Sequence, residues 1–377
     1  MQVRVIEAGM ASSLGLNAEM SCAAARAGMS RAATLQVLNA DADAALAGSA
    51  VAGHCMAGGS AEGFVGLAKA QILGRAAMAD LLARCAAHEG GHGATACYVA
   101  LPDRRELDAV DADQDGADDE DDADDSAREA LSRSAAWRRS SNNLARALTA
   151  YFGIEHSMSE AQVVHGSHEA FAVALHHAQA QMQAGRMRRC IVGAIDSMVE
   201  PSLLRAAAEA ATLKTEDGAV GYMPGEGAAF VLLEAVDDGT PSGANGLVIA
   251  SMTFAVEEAV PQASVPGRAL ARAIRPSVQA CRESGLGECV VIADLNGGVG
   301  RATEWGHCQV HLDAGRALPQ SALWLPAQSF GEAGTAAAAF AITMALQASR
   351  RGYLPPGGAL VVLSAPSGRK AALWLHD

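Results

Sequence analysis

The chain has 377 residues, of which 50% are hydrophobic but only 4% aromatic, and a formal net charge of −14. This length can bury a large core, and the shortage of aromatic residues indicates a core built mainly from Ala, Val and Leu. Twelve acidic residues lie between Glu106 and Asp125, a tract without Lys or Arg, so the rest of the chain carries a net charge of only −2. The sequence has no basic stripe with interleaved aromatic residues, so it gives no indication of a nucleic-acid partner. No apolar run reaches the ~18 residues of a membrane span.

The eight cysteines show neither a metal-binding C-x-x-C spacing nor disulfide-rich clustering. In a chain of this size such cysteines are typical of buried thiols in a cytoplasmic protein. The N-terminus lacks the apolar segment of a signal peptide, which favours the same location.

Apolar periodicity predicts the elements of the first half, namely a strand over 2–8, helices over 18–27 and 64–87, a strand over 94–101 and a helix over 128–152. Four residues of the last helix are predicted to face inward: Trp137, Leu144, Ala147 and Leu148. The acidic tract, about 106–126, cannot bury enough apolar surface to offset the entropy of ordering, so a disordered surface loop is predicted there.

The central stretch, 161–234, combines a strand, a sharp turn and a helix. A strand over 162–165 breaks at Gly166, a helix follows to about residue 183, and Gly185 ends that helix before a strand over 190–195. A helix N-terminus behind a glycine turn can present a nucleophile, because its N–H groups and dipole favour a developing anion.

The second half follows a Pro/Gly/Ser/Asn linker over 237–246. Its predicted elements are a strand over 247–254, a helix over 269–283, a strand over 289–295, a helix over 332–349 and strands over 359–363 and 371–375.

Three matches to metal-binding patterns are weak. His88-Glu89-Gly90-Gly91-His92 matches H-E-x-x-H, but two consecutive glycines disfavour the helix that a zinc site needs. The run from Asp111 to Asp122 resembles a calcium loop without the flanking helices. His307, Cys308, His311 and Asp313 are interpreted as part of an exposed strand, with the histidines and Asp313 on one face. We therefore predict no metal and no cofactor.

Ser167-His168-Glu169 places a hydroxyl, an imidazole and a carboxylate at the turn itself. Consecutive residues at a helix start point in different directions, whereas a catalytic triad requires its base to meet the hydroxyl in space. One interpretation makes Ser167 the helix N-cap. The other makes it a nucleophile assisted by His165 or His168.

The chain resembles the β-ketoacyl synthases of the thiolase superfamily. The resemblance lies in the opening segment 3–30, the strand 190–198 after Gly185, the glycine loop 224–229 and the turn Gly331-Glu332-Ala333-Gly334, which is similar to a Gly-Ala-Ala-Gly turn before a late helix. It implies a five-layered αβαβα fold built from two pseudo-equivalent halves, here 1–240 and 241–377. It also implies a dimer that pairs through the strand 162–165.

The family condenses acyl chains with a cysteine and two histidines. The resemblance places the cysteine position at Ser167 or His168, the first histidine position at Gly297 and the second at Gln328. The Gly-Phe-Gly-Gly gate is replaced by Pro366-Ser367-Gly368-Arg369. Four concerted changes predict that 3-oxoacyl-ACP synthase activity has been lost.

Three functions follow as expectations. The first is a non-catalytic partner or scaffold in fatty acid or polyketide biosynthesis, similar to chain-length-factor subunits, forming a homodimer or a heterodimer with an active ketosynthase and contacting acyl carrier protein. The second is a divergent acyltransferase or hydrolase using Ser167. The third is an adaptor in another bacterial assembly, although no residue specifically indicates this role.

Overall fold

The computed structural model describes residues 1–35, 50–86, 91–103, 132–237, 246–257, 265–312, 318 and 322–377. The acidic tract, the calcium-loop match, the interdomain linker and residues 88–90 of the zinc-like match lie outside these residues. The predicted boundary at residues 240/241 lies there too, and it stays a prediction.

The described ranges contain twelve strands and ten α-helices. The strands are β1 Gln2–Ala11, β2 Ala33–Thr34, β3 Ala52–Gly53, β4 Ala96–Pro102, β5 Glu160–Gly166, β6 Arg189–Ser197, β7 Glu226–Val236, β8 Leu247–Val256, β9 Val290–Ala293, β10 Leu323–Trp324, β11 Ala359–Ser364 and β12 Arg369–His376. The helices are α1 Ala18–Arg26, α2 Gly66–Cys85, α3 over 132–141, α4 Leu144–Tyr151, α5 Ala170–Gln183, α6 Pro201–Glu209, α7 Arg268–Ser284, α8 Val299–Leu312, α9 Ala327–Phe330 and α10 Ala337–Arg350.

Ten strands form one sheet in the order β10-β9-β11-β12-β8-β1-β7-β6-β4-β5. At each end of the sheet, the outer three strands are parallel to one another. The next two pairs of neighbouring strands toward the centre are antiparallel. When the five strands of each half are numbered along the chain, both halves have the order 3-2-4-5-1, so the halves are pseudo-equivalent. The two half-sheets are continuous, because Arg4 and Val5 of β1 pair with Val248 and Leu247 of β8.

The fold has five layers, two of which are the two half-sheets. Helices α5 and α10 lie between the two half-sheets, in a core that takes residues from both. Helices α2 and α4 cover the outer face of the first half, and α7 and α8 cover that of the second. The predicted thiolase-like αβαβα architecture is therefore confirmed.

Small residues make the central layer possible. The buried positions of α5 and α10 are mostly alanines, and a helix between two sheets must be apolar on several faces. Gly193 shows how close the packing is, because a Cβ atom there would lie 2.1 Å from the ring of Phe230 on the paired strand. The strands and helices thus approach each other as the aromatic-poor composition indicates.

One predicted element and one predicted inward-facing residue are wrong. Residues 307–312 belong to helix α8 and not to a strand; Trp305, Cys308 and Leu312 are its buried residues, at helical spacing. Asp313 lies outside the described residues. Ala147 of α4 is exposed and Ala145 is buried in its place, while Leu144 and Leu148 face the core as predicted.

Candidate functional site

A cavity of about 480 Å³ opens where the two halves meet. Its walls come from the turn after β5, the end of β6, helix α6, the loop 211–222, the start of α8 and the turn before α10. The lining residues with functional groups are Asp103, Ser167, His168, Asp196, Thr212, Tyr222, Asn296, Arg301, Glu332 and Thr335. Such a volume is ordinary for a small-molecule site.

Ser167 and His168 occupy the turn between β5 and α5. The hydroxyl of Ser167 lies 3.1 Å from Nδ1 of His168, and the imidazole is buried. Helix α5 begins at Ala170, with Glu169 as its N-cap residue, so the N-cap interpretation of Ser167 is wrong. The side chains of Ser167 and His168 can contact each other because both residues belong to the turn before the helix and not to the helix itself.

Glu332 holds the other side of the imidazole. Its Oε1 accepts hydrogen bonds from His168 Nε2 and from the backbone N–H of Gly334, both at 2.8 Å. Its Oε2 accepts from the amide of Asn296 at 2.5 Å. Burial alone would raise the pKa of Glu332, but the charges of His168 and Arg301 and these hydrogen bonds hold that pKa well below its usual range.

Arg301 lies against the same ring. Its Nη1 pairs with the Asp294 carboxylate at 2.9 Å, and its Nη2 lies 2.8 Å from Nε2 and 3.3 Å from Nδ1 of His168. Burial raises the pKa of Asp294, although the charge of Arg301 opposes this effect. Burial would lower the pKa of Arg301, yet the carboxylates of Asp294 and Glu332 raise it above its ordinary value. The guanidinium therefore stays charged beside His168.

The tautomer of His168 decides which of these contacts are hydrogen bonds. An ionised carboxylate only accepts hydrogen bonds, so the 2.8 Å contact with Glu332 requires a proton on Nε2. In that tautomer the Nδ1 lone pair faces the hydroxyl of Ser167. Arg301 Nη2, also 2.8 Å from Nε2, can donate to this nitrogen only in the opposite tautomer, so Glu332 and Arg301 compete for it.

The structure brings together only part of the predicted site. Ser167 and His168 line the cavity, whereas Gly297 and Gln328 are not among the lining residues that the structure describes, and Gln328 is exposed. Their neighbours in the fold, Asn296 and Glu332, take part instead. Sequence reasoning missed both, although a carboxylate within the turn of residues 331–334, where the resemblance has alanine, was a usable signal.

Cysteine chemistry has no place at this cavity. All eight cysteines of the sequence are free, and none of them lines the cavity. Burial raises the pKa of Cys22, Cys85, Cys97 and Cys308 to about 12, so these thiols are protonated at neutral pH.

No group of three or more potential metal ligands is found within the described ranges. His307 and His311 lie one turn apart on α8, whereas Cys308 between them is buried in the opposite direction. None of the helices in the described part of the chain combines the length and hydropathy that a membrane span needs.

Comparison with known proteins identifies the kind of fold that carries this cavity. Residues 167–239 match the family model for the β-ketoacyl synthase N-terminal domain. No curated protein sequence matches the chain.

Three solved structures are similar over the whole chain. The ishigamide ketosynthase/chain length factor has a TM-score of 0.64 and 19% identity, with 100% of this chain and 99% of that chain covered. The oxazolomycin ketosynthase domain from Streptomyces albus has a TM-score of 0.72 and 15% identity, with 100% and 76% covered. A type II polyketide synthase acyl-carrier protein in complex with its ketosynthase bound to the hexaketide has a TM-score of 0.71 and 14% identity, with 100% and 99% covered. The protein thus has a thiolase-like fold of the ketosynthase kind.

Proposed function

We propose that this protein is a ketosynthase-like subunit that does not condense acyl chains itself and acts as a partner or scaffold in fatty acid or polyketide synthesis. The observation that carries the proposal is the cavity, where a serine and a histidine occupy the turn at the start of α5 and none of the eight cysteines is present. Without a thiolate beside the cavity, an acyl chain has no thioester site from which to be extended.

The edge strand β5 supports the partner role. It ends the ten-stranded sheet, and Val163 and Val164 in it are only half-buried. An open edge with apolar residues favours pairing with another chain. We propose a homodimer or a heterodimer with an active ketosynthase through this strand, with acyl carrier protein as a further partner. Free cysteines throughout the chain are consistent with a cytoplasmic location.

The test is co-expression of the tagged protein with a ketosynthase of the same organism, followed by light scattering and a condensation assay. The proposal predicts a 1:1 complex whose product depends on both chains. Formation of a ketoacyl product by this chain alone, from acyl and malonyl carriers, would overturn it. Copurification with an unrelated assembly and no ketosynthase would favour an adaptor role instead.

A second candidate function, acyl transfer or hydrolysis at Ser167, has its own support. The 3.1 Å contact between Ser167 Oγ and His168 Nδ1 provides the base that an ordinary serine hydroxyl needs to become a nucleophile. Intact-mass analysis after incubation with acyl-CoA or acyl carrier protein tests it, since an acyl adduct on Ser167 is the expected intermediate.

A further inference from the structure

A continuous hydrogen-bonded path connects the cavity to a buried carboxylate. It runs from Ser167 Oγ through both nitrogens of His168 to Glu332 Oε1, with distances of 3.1 and 2.8 Å. We infer that Glu332 completes a Ser167–His168–Glu332 acyl-transfer centre and that the cavity takes neutral acyl esters or thioesters. This inference rests on the second candidate function and adds to it the positioning residue and the substrate class.

Glu332 suits the role of a positioning residue. It is 4% exposed, and Gly334 and Asn296 hold its two carboxylate oxygens independently of His168. The anion therefore cannot rotate away, and it keeps the Nε2 proton on the ring. A Ser-His-acid arrangement works in the same way, because the acid orients the imidazole and stabilises the imidazolium that forms. Here the ring is reversed, with Nδ1 facing the serine.

Glu169, the acid next to His168 in the sequence, does not serve this purpose. Its Oε1 lies 3.5 Å from Arg369, and its buried side chain is not among the residues that line the cavity. The carboxylate that the imidazole meets comes from the second half of the chain.

The charges around the cavity select the substrate. Three carboxylates line it, those of Asp103, Asp196 and Glu332, but only one arginine does, Arg301. Asp103 is paired with Arg138 and Arg301 with Asp294, so four carboxylates stand against two guanidinium groups among these residues. An acyl group that carries its own carboxylate would meet this negative excess, so it is disfavoured.

An apolar wall provides for a neutral chain. Helix α6 and its neighbours line the cavity with Met198, Leu203, Ala206, Ala207, Ala210, Val220 and Val299. Burial of methylene groups against such a wall is favourable, because it removes apolar surface from water. A neutral aliphatic acyl chain is therefore the chemistry that the cavity fits.

The reaction balances without a cofactor. Ser167 Oγ forms a bond to the acyl carbon while its proton moves to His168 Nδ1, and the bond to the leaving alcohol or thiol breaks as His168 returns that proton to it. Water or an acceptor thiol then attacks the acyl-serine in the same manner, and the free hydroxyl is restored.

The experiment measures the rate of labelling by a fluorophosphonate probe as a function of pH. Around His168, the titratable and charged groups are Glu332, Arg301 and Asp294, with Tyr222 across the cavity and Glu169 next in the chain. We expect the wild type to be labelled and Ser167→Ala to be unlabelled. Glu332→Gln should be labelled roughly 10²–10⁴-fold more slowly, as an acid-to-amide change in such a triad has this effect. Glu332→Asp should restore part of the rate, because the shorter acid still provides a carboxylate to orient the imidazole.

Controls separate the possible failures. Ser364→Ala removes a hydroxyl that contacts Lys370 outside the cavity lining, and its labelling should match the wild type. No labelling of the wild type would overturn the Ser167 function altogether. A different result would overturn only the role of Glu332. In that case Ser167→Ala is not labelled, whereas Glu332→Gln is labelled at the rate and with the pH profile of the wild type. If Glu332→Gln does not fold by circular dichroism, Asn296→Ala, which frees one oxygen of Glu332, should slow labelling and carries the same test.

The substrate class is tested with p-nitrophenyl hexanoate and the p-nitrophenyl half-ester of adipic acid, which differ by a terminal carboxylate. We expect the neutral ester to be hydrolysed at least ~10-fold faster, since one opposed charge in a partly buried site is worth about 1.4 kcal/mol or more. Equal rates, or preference for the half-ester, would overturn the assignment of neutral substrates.

Discussion

The imidazole of His168 and the carboxylate of Glu332 lie 2.8 Å apart, although 164 residues separate them in the chain. His168 follows β5 in the first half, and Glu332 precedes α10 in the second. The cavity therefore exists only where the two halves pack together, and changes to this pair should register both in chemistry and in stability.

Acidification should remove the stabilising effect of Glu332. Its pKa in the folded protein is lowered from 4.5, because the charges of His168 and Arg301 outweigh the effect of burial. A lowered pKa stabilises the fold above the unfolded value and loses that effect as pH falls below it. The free energy of unfolding should thus fall between about pH 5 and pH 3 more in the wild type than in Glu332→Gln. Asp294 is common to both proteins, so an equal fall in both would contradict the prediction.

Removal of the Arg301 charge should destabilise the protein strongly. Arg301→Met leaves the buried carboxylates of Asp294 and Glu332 without their cation, and breaking a buried pair in this way costs about 3–5 kcal/mol. Arg205→Met is the matched control, because the half-exposed Arg205 forms a surface pair with Glu209, at 3.8 Å, one turn along α6. That change should cost less than about 0.5 kcal/mol. Similar urea midpoints for the two variants would refute the buried role of Arg301.

The protein alone should show no condensing activity. Ser167 or His168 stands where the resemblance places the cysteine, and neither Gly297 nor Gln328 offers an imidazole. Loss of a single donor to a developing oxyanion often costs about 10²–10³ in rate. The purified protein with acyl and malonyl carriers should yield no ketoacyl product by mass spectrometry, even after Ser167→Cys restores a thiol. Product from the wild type would show that the chain retains condensing activity.

Deletion of residues 108–125 should leave the fold intact. The tract is strongly acidic and almost free of apolar residues, and long surface insertions add loop entropy only slowly. We expect a melting temperature within ~4 °C of the wild type in low salt. Replacement of the tract by Gly and Ser at the same length separates the effect of its charge from that of its length. A larger fall in the deletion variant alone would show that the tract supports the fold.

The edge strand β5 should mediate dimerisation. Val164 is half-buried in this last strand of the sheet, so Val164→Asp places a charge where a partner strand would pair. Light scattering should then show a dimer for the wild type and a monomer of about 38.5 kDa for the variant. The control is Val310→Asp, since Val310 is 77% exposed on α8, away from this edge. A soluble wild-type monomer would rule out a homodimer through β5, and circular dichroism must show that the variant is folded.

Most of the elements follow from local patterns in the sequence. The strands over 190–195 and 371–375 and the helix over 269–283 agree with β6, β12 and α7, because their apolar periods are long and bounded by glycine or polar residues. The strand–turn–helix around Gly166 was likewise visible. Even α8 carried a helical period in Trp305, Cys308 and Leu312, which the metal-like motif over 307–313 concealed.

The site itself needed the tertiary structure. The composition and the absence of cysteine at the turn of residues 166–168 were enough to predict a small-residue core and the loss of condensation. Which acid meets His168 was decided by the packing of two halves, since Glu169 is adjacent in the chain but Glu332 is adjacent in space. A period of 2 or 3.6 residues is a local property that any stretch reveals by itself. Contact between side chains 164 residues apart depends instead on how whole layers pack, and a single chain sequence does not display that packing.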